Sequence, residues 1–233
     1  MSLKIEEWDS SYRNRDNFVF FPHEEVVRFT SKFIRKRIGI NEFRDVHCFP
    51  SNPKVLDLGC GIGRHVMFLA DYGLDVWGID LSGVAIEQAR NLFAHEGQAH
   101  LADKLVQGSI ANMPFANNFF DFGVSHGVLD SMPFEVARKA MEETARCLKP
   151  GGMFYLDVIS GDDNRFRPGF CGEEIVDTNH EHGTVQSYFN REKIGILIGD
   201  SFDMAEGALI RRTSLCEEGF HSRYHLILKN KIS

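Results

Sequence analysis

Three glycines two residues apart, Gly59, Gly61 and Gly63, close an apolar run in the stretch "VLDLGCGIGRH", residues 55–65. A strand that breaks into glycines and hands over to a helix constrains a fold tightly. It sets backbone N–H groups and a helix N-terminus at the strand's carboxyl end, where a ligand can approach bare main chain. From Val55 to Ile159 strand-like and helix-like stretches alternate, the pattern of a parallel sheet covered by helices. The strand candidates are 55–58, 75–80, 104–107, 119–125 and 153–159. One helix starts near Arg64, and a second follows the cap-like Ser82 with Ile86, Ala89 and Phe93 on one face. A third carries Ala137, Ala140, Met141, Thr144, Ala145 and Leu148 on one face before "KPGG" ends it. Two closing strands, about 208–216 and 223–229, predict a hairpin that adds an antiparallel edge.

Upstream, Val26, Phe29 and Phe33 recur at helical spacing and predict a helix over 23–38, with a shorter one holding Trp8 and Tyr12. Residues 1–50 therefore form an expected N-terminal helical extension, a cap on a domain of 51–233. The basic cluster "SKFIRKR", Ser31–Arg37, then falls on a solvated helix face. After Ser160 the pattern loosens, and 160–189 is expected to be a lid-like insertion. "NREKIGILIGD" follows as a short helix capped by Asn190.

The glycines do not spell a dinucleotide turn. In GxGxxG, a start at Gly59 puts Arg64 in the third glycine position and a start at Gly61 puts Val66 there, and no GxxxxGK[ST] is present. What accompanies the turn is acid: Asp57 within it, and Asp80 at the end of the next strand, 21 residues after Gly59. An acid at that second strand end can accept both hydrogen bonds of a ribose diol. The turn suits an adenosine-bearing ligand without a demanding phosphate cradle.

The formal charge of −7 argues against a nucleic-acid partner, and no apolar stretch in the 233 residues approaches a membrane span. The polar N-terminus is unlike a secretory signal, and the five cysteines form no CxxC pair or zinc spacing, so the expected location is a reducing cytoplasm. Residues 160–206 hold ten acids against four bases, a net of −6. That segment favours a neutral or cationic small molecule over a polyanion.

"VLDLGCGIG" followed by "VWGIDLS" resembles the first two motifs of class I S-adenosylmethionine (SAM) dependent methyltransferases, and "LKPGGMFYLDV" resembles their fifth-strand motif. The resemblance covers about 55–159. It implies an α/β, three-layer Rossmann-like methyltransferase fold with a seven-stranded, mostly parallel sheet and a C-terminal antiparallel hairpin. It also implies SAM as cofactor, with S-adenosylhomocysteine as product. Asp57, Gly59, Gly61 and Gly63 would shape the loop beneath the methionine part, with Cys60 giving backbone contacts. Asp80 would hold the ribose hydroxyls and Leu81 would pack on adenine. Ser109, where the family usually has an Asp, would bond an adenine edge, and Ile110 would press on the ring. Ser125 and His126 stand where cofactor and acceptor meet, and Tyr12 would close over the cofactor from the N-terminal helix.

The implied chemistry is an in-line displacement at the methyl carbon, to an O or N atom of a small molecule, resting on alignment of two bound reactants. A base is needed only where the acceptor loses a proton, and His126 is the candidate. Asp130, four residues on, can cap the next helix. His180 and His182 in "NHEH" are candidate acceptor contacts, and they do not complete a metal ligand set. No Asn/Asp-Pro-Pro-aromatic motif follows the fourth strand, which disfavours planar exocyclic amines such as adenine in DNA. Two other readings compete: a SAM-binding protein without turnover, and a nicotinamide-dependent oxidoreductase, which both glycine registers oppose. The oligomeric state is not set by the sequence.

Overall fold

The computed structural model describes residues 4–162, 169–178, 181–216 and 219–231. Seven strands make one sheet: β1 Lys54–Leu58, β2 Asp75–Asp80, β3 Leu105–Gln107, β4 Phe120–Ser125, β5 Leu148–Ile159, β6 Phe202–Thr213 and β7 Phe220–Asn230. Their spatial order is β3-β2-β1-β4-β5-β7-β6. The first five run parallel, and β7 joins β5 antiparallel with β6 outside it. The fold is thus the Rossmann-like one, a mostly parallel sheet closed by an antiparallel pair.

The helices are α1 Ile5–Arg13, α2 Glu24–Phe29, α3 Arg64–Asp71, α4 Gly83–His95, α5 Phe134–Cys147 and α6 Arg191–Ile198. Alternation along the strands sorts them into layers. On β1 and β5, Leu56, Leu58, Phe154, Leu156 and Val158 pack with Ala137, Ala140 and Met141 of α5 and Ile194 and Leu197 of α6. Val55 and Tyr155, one residue out of phase, pack with Phe29, Val66, Leu69, Ile86 and Phe93 of α2, α3 and α4. The period of two along each strand therefore builds a three-layer core.

Two predicted elements came out differently. The helix expected over 23–38 is helical only to Phe29, continues as a π turn over Thr30–Ile34, and gives way to a short strand, Arg35–Arg37, paired antiparallel with Phe43–Asp45. The Thr30 hydroxyl bonds back to the Val26 carbonyl at 2.8 Å, which loosens the helical ladder. Arg35 is then tied by its guanidinium to Asp45 and to the carbonyls of Tyr72 and Gly73. The basic cluster is thus part strand, and the N-terminal extension is not wholly helical. Val26, Phe29 and Ile34 lie in the helical layer itself. The outer terminal strand begins at Phe202, six residues before the expected start near Ala208, with a bulge between Met204 and Glu206. Its residues are largely exposed, so no alternation marks them. Leu148, expected on the face of α5, opens β5.

Candidate functional site

A cleft opens at the carboxyl ends of β1, β2 and β4. Nine of the residues singled out from the sequence line it: Tyr12, Gly59, Cys60, Gly61, Asp80, Leu81, Ser109, Ile110 and His126. Gly61 has φ +54°, and a Cβ there would stand 2.6 Å from the Tyr12 hydroxyl oxygen, so only glycine lets the N-terminal helix approach the turn. That helix is latched in place. Asp9 accepts from the Ser82 hydroxyl at 2.5 Å and from the Val84 N–H at 3.3 Å, and the Gln88 amide donates to the Tyr12 carbonyl at 3.0 Å. Burial, and next the Asp80 carboxylate, hold the Tyr12 phenol well above its ordinary range.

Asp80 is the chemically decisive residue in the wall. Its Oδ2 accepts the Gly61 N–H at 2.8 Å and its Oδ1 accepts the Ser82 N–H at 2.9 Å. The carboxylate pins the glycine turn and the start of α4, whose cap Ser82 in turn accepts from the Ala85 N–H. Each oxygen has further lone pairs toward the cleft. Burial raises its pKa to about 6, partly offset by the two N–H groups and reinforced by Asp57 and Asp9. Ser109 accepts the Ala111 N–H at 3.2 Å, which leaves its hydroxyl proton to donate. Cys60 is a buried thiol whose pKa burial pushes well up, so it is no nucleophile.

Three expected site residues do not reach the cleft wall. Gly63 has φ +81° and faces inward: a Cβ would meet Cζ of Phe93 at 2.4 Å, so it serves the close packing of α4 on the turn. Asp57 is buried beneath the turn, with Oδ1 3.7 Å from Nδ1 of His65. Ser125 is fully buried on β4, its hydroxyl without a partner among the described residues.

His126 lines the same cleft, and its surroundings oppose a base. The Arg64 guanidinium donates to its Nδ1 at 3.2 Å, and its Nε2 faces Asp157 Oδ2 at 3.5 Å. That arrangement places the ring proton on Nε2 and occupies the lone pair on Nδ1. Burial lowers its pKa to about 3, against a smaller opposing effect of Asp157, and the His23 ring lies tilted against it at 32° with centroids 3.8 Å apart. The neutral ring is a hydrogen-bonding wall element and a weak base. Asp130, expected as a helix cap, instead accepts from the Ile159 N–H and from Arg223, while α5 starts after Pro133.

The cleft also holds residues that sequence reasoning weighed lightly or passed over, including Trp8, Arg64, His65, Val128, Met132 and Val136. The position of Arg64 directly after the glycine turn was the available signal. His182 is exposed and off the cleft, and His180 lies outside the described residues. Of the described part of 160–206 only Val185 lines the cleft, while the Glu181 carboxylate acts on the Tyr12 phenol from a distance. Among the described residues no helix is long and apolar enough to cross a membrane.

Residues 56–156 match the family described as "Methyltransferase domain". A sterol 4-C-methyltransferase of Caenorhabditis elegans is 30% identical over 155 residues, 63% of this chain and 43% of that protein. A sarcosine/dimethylglycine N-methyltransferase of Aphanothece halophytica is 38% identical over 133 residues, 55% and 44% of the two chains. The chain thus spans under half the length of these curated relatives. Among solved structures, a SAM-dependent methyltransferase of Methanosarcina mazei superposes with TM-score 0.65 at 20% identity, over 79% of this chain and 95% of that one. A 1,6-didemethyltoxoflavin-N1-methyltransferase of Burkholderia thailandensis with bound S-adenosylhomocysteine gives 0.57 at 18%, over 78% and 72%. At those identities the shared property is the fold.

Proposed function

We propose that residues 56–156, which match the family described as "Methyltransferase domain", form a class I S-adenosylmethionine-dependent methyltransferase domain, and that this chain transfers a methyl group from SAM to an O or N atom of a small molecule. The observation that carries the reading is Asp80, a cleft carboxylate whose two oxygens are oriented by the N–H groups of Gly61 and Ser82. The residues present fit the cofactor. Asp80 accepts the ribose hydroxyls, Leu81 and Ile110 supply apolar surface for adenine with Ser109 at its edge, and Gly59, Cys60 and Gly61 form the floor beneath the methionine part. Tyr12 and Trp8 on α1 cover the cleft. The boundary near residue 51 is part of the proposal, with α1 as the covering piece and 160–189 as an insertion beside the site.

Bound SAM supplies a methyl carbon on a sulfonium that leaves readily. The chain's part is alignment and exclusion of water, effects worth roughly 7–11 kcal/mol in well-oriented systems. With the His126 lone pair occupied, an acceptor that is already nucleophilic at neutral pH suits the site better than one that must be deprotonated. Incubation with methyl-labelled SAM and a fractionated metabolite extract, followed by mass identification, tests the reading. A labelled small molecule is expected, and transfer confined to tRNA or protein would overturn it.

The raised pKa of Asp80 gives a second test. The ribose hydroxyls donate to an ionised carboxylate, so binding takes up ligand with the deprotonated form and is lost as pH falls through about 6. Calorimetric affinity for S-adenosylhomocysteine is expected to hold from pH 8 to 7 and to drop about tenfold between pH 7 and 5. An Asp80→Asn variant is expected to bind more weakly with a flat profile over that range.

A further inference from the structure

One guanidinium in the cleft wall has no carboxylate partner. Arg64 opens α3 and is largely enclosed, yet among the described residues its donors reach only neutral acceptors, Nδ1 of His126 at 3.2 Å and the Phe21 carbonyl at 3.4 Å. Arg223, by contrast, is held by two carboxylates, Asp130 and Asp157, at 2.7 and 2.6 Å. Asp57 and Asp157 act on the Arg64 guanidinium only from a distance, and a sheltered charge with no carboxylate in contact is costly unless a ligand supplies one. Burial accordingly pulls the Arg64 pKa down.

We propose that Arg64 anchors a carboxylate of the methyl acceptor. A planar fork of N–H donors matches a carboxylate better than it matches a ring nitrogen and a distant carbonyl. Its position favours the acceptor over the adenosine half of the cofactor, which belongs with Asp80, Leu81, Ser109 and Ile110. Arg64 instead touches His126 and the segment that exposes Phe18, Val19, Phe20 and Phe21, of which Val19 lines the cleft at its rim. Lys4 is the other cation on the wall and Asp80 the one carboxylate there. The inference rests on the methyltransferase reading and replaces the neutral or cationic acceptor with a small carboxylic acid.

The test compares the full chain with Arg64→Gln and Arg64→Lys. The probes are a set of small hydroxy and amino acids, each beside its own carboxamide, with S-adenosylhomocysteine release as the readout. The wild type is expected to prefer acids to carboxamides by at least tenfold in kcat/KM, the glutamine variant to lose that preference, and the lysine variant to keep part of it. S-adenosylhomocysteine affinity is expected to stay within threefold in both variants. The assignment is overturned by a glutamine variant that keeps the preference, or by a wild type that favours no acid. It is also overturned if the glutamine variant loses tenfold in S-adenosylhomocysteine affinity but none toward 5′-methylthioadenosine, since the guanidinium would then serve the cofactor's own carboxylate. A wild type that binds no S-adenosylhomocysteine sinks the methyltransferase reading itself, and the titration distinguishes that failure from the others.

Discussion

Asp80→Ala is expected to reduce S-adenosylhomocysteine affinity by at least 100-fold while the protein stays folded. Two charge-assisted hydrogen bonds to a ribose diol are worth about 1.5–3 kcal/mol each, or roughly 10²–10⁴ in affinity together. The same carboxylate tethers the Gly61 and Ser82 N–H groups, so its removal also unpins the floor of the pocket. Stability should change little, because two opposing effects accompany the substitution. A buried carboxylate already under strain from Asp57 and Asp9 is removed, and two N–H donors are left unmatched beside a water-accessible cleft. A melting temperature within about 5 °C of wild type, read beside the calorimetric affinity, is the expected pair of results. Unchanged affinity would show that the ribose assignment is wrong.

Arg223→Met is expected to have the largest effect on stability. Arg223 bridges Asp130 on the β4–α5 connection and Asp157 on β5, and those carboxyl groups are almost fully enclosed. Burial would raise the Asp157 carboxyl, and the guanidinium, with His126 and the Gly127 N–H, more than offsets it, holding Asp157 below the usual carboxylate range. Burial wins at Asp130, whose pKa stays raised despite Arg223. Removing the shared partner leaves two buried carboxylates facing each other, a change of about 3 kcal/mol, at the low end because the Arg223 side chain is itself 31% exposed. For a chain of this size that is roughly 6–12 °C in melting temperature.

The sign of the pH dependence follows. Wild type loses the Asp157 contribution as pH falls toward its depressed pKa. In the variant both carboxyls titrate above their unfolded values and become neutral as pH falls. The deficit should therefore narrow from pH 7.5 to 5, as thermal melts at the two pH values would show, and a deficit that widened toward pH 5 would contradict the account.

The alternation that makes a parallel sheet was legible because strands buried on both faces leave continuous apolar runs, so β2 falls where "DVWGID" predicts it. The 23–38 helix was misread because its end is set by tertiary contacts: Arg35 reaches carbonyls of Tyr72 and Gly73, 37 and 38 residues away. A glycine motif does not reveal which glycines face a ligand and which face a ring, and Gly63 turned out to face Phe93. His126 looked like a base in isolation. Arg64, 62 residues upstream, takes its lone pair, a pairing that no local pattern encodes. The Asp130–Arg223–Asp157 group spans still longer separations, although an acid inside the apolar run "FYLDVI" was a usable sign of a buried partner. Net charge carries less positional information: ten acids in one segment do not say which way the segment faces.

The most direct test of the central claim is calorimetric titration of the full chain with S-adenosylhomocysteine and, separately, with NADH. The glycine turn and Asp80 predict saturable one-to-one binding of S-adenosylhomocysteine at pH 7.5 and no measurable binding of NADH. Saturable NADH binding without S-adenosylhomocysteine binding would contradict the account at its base.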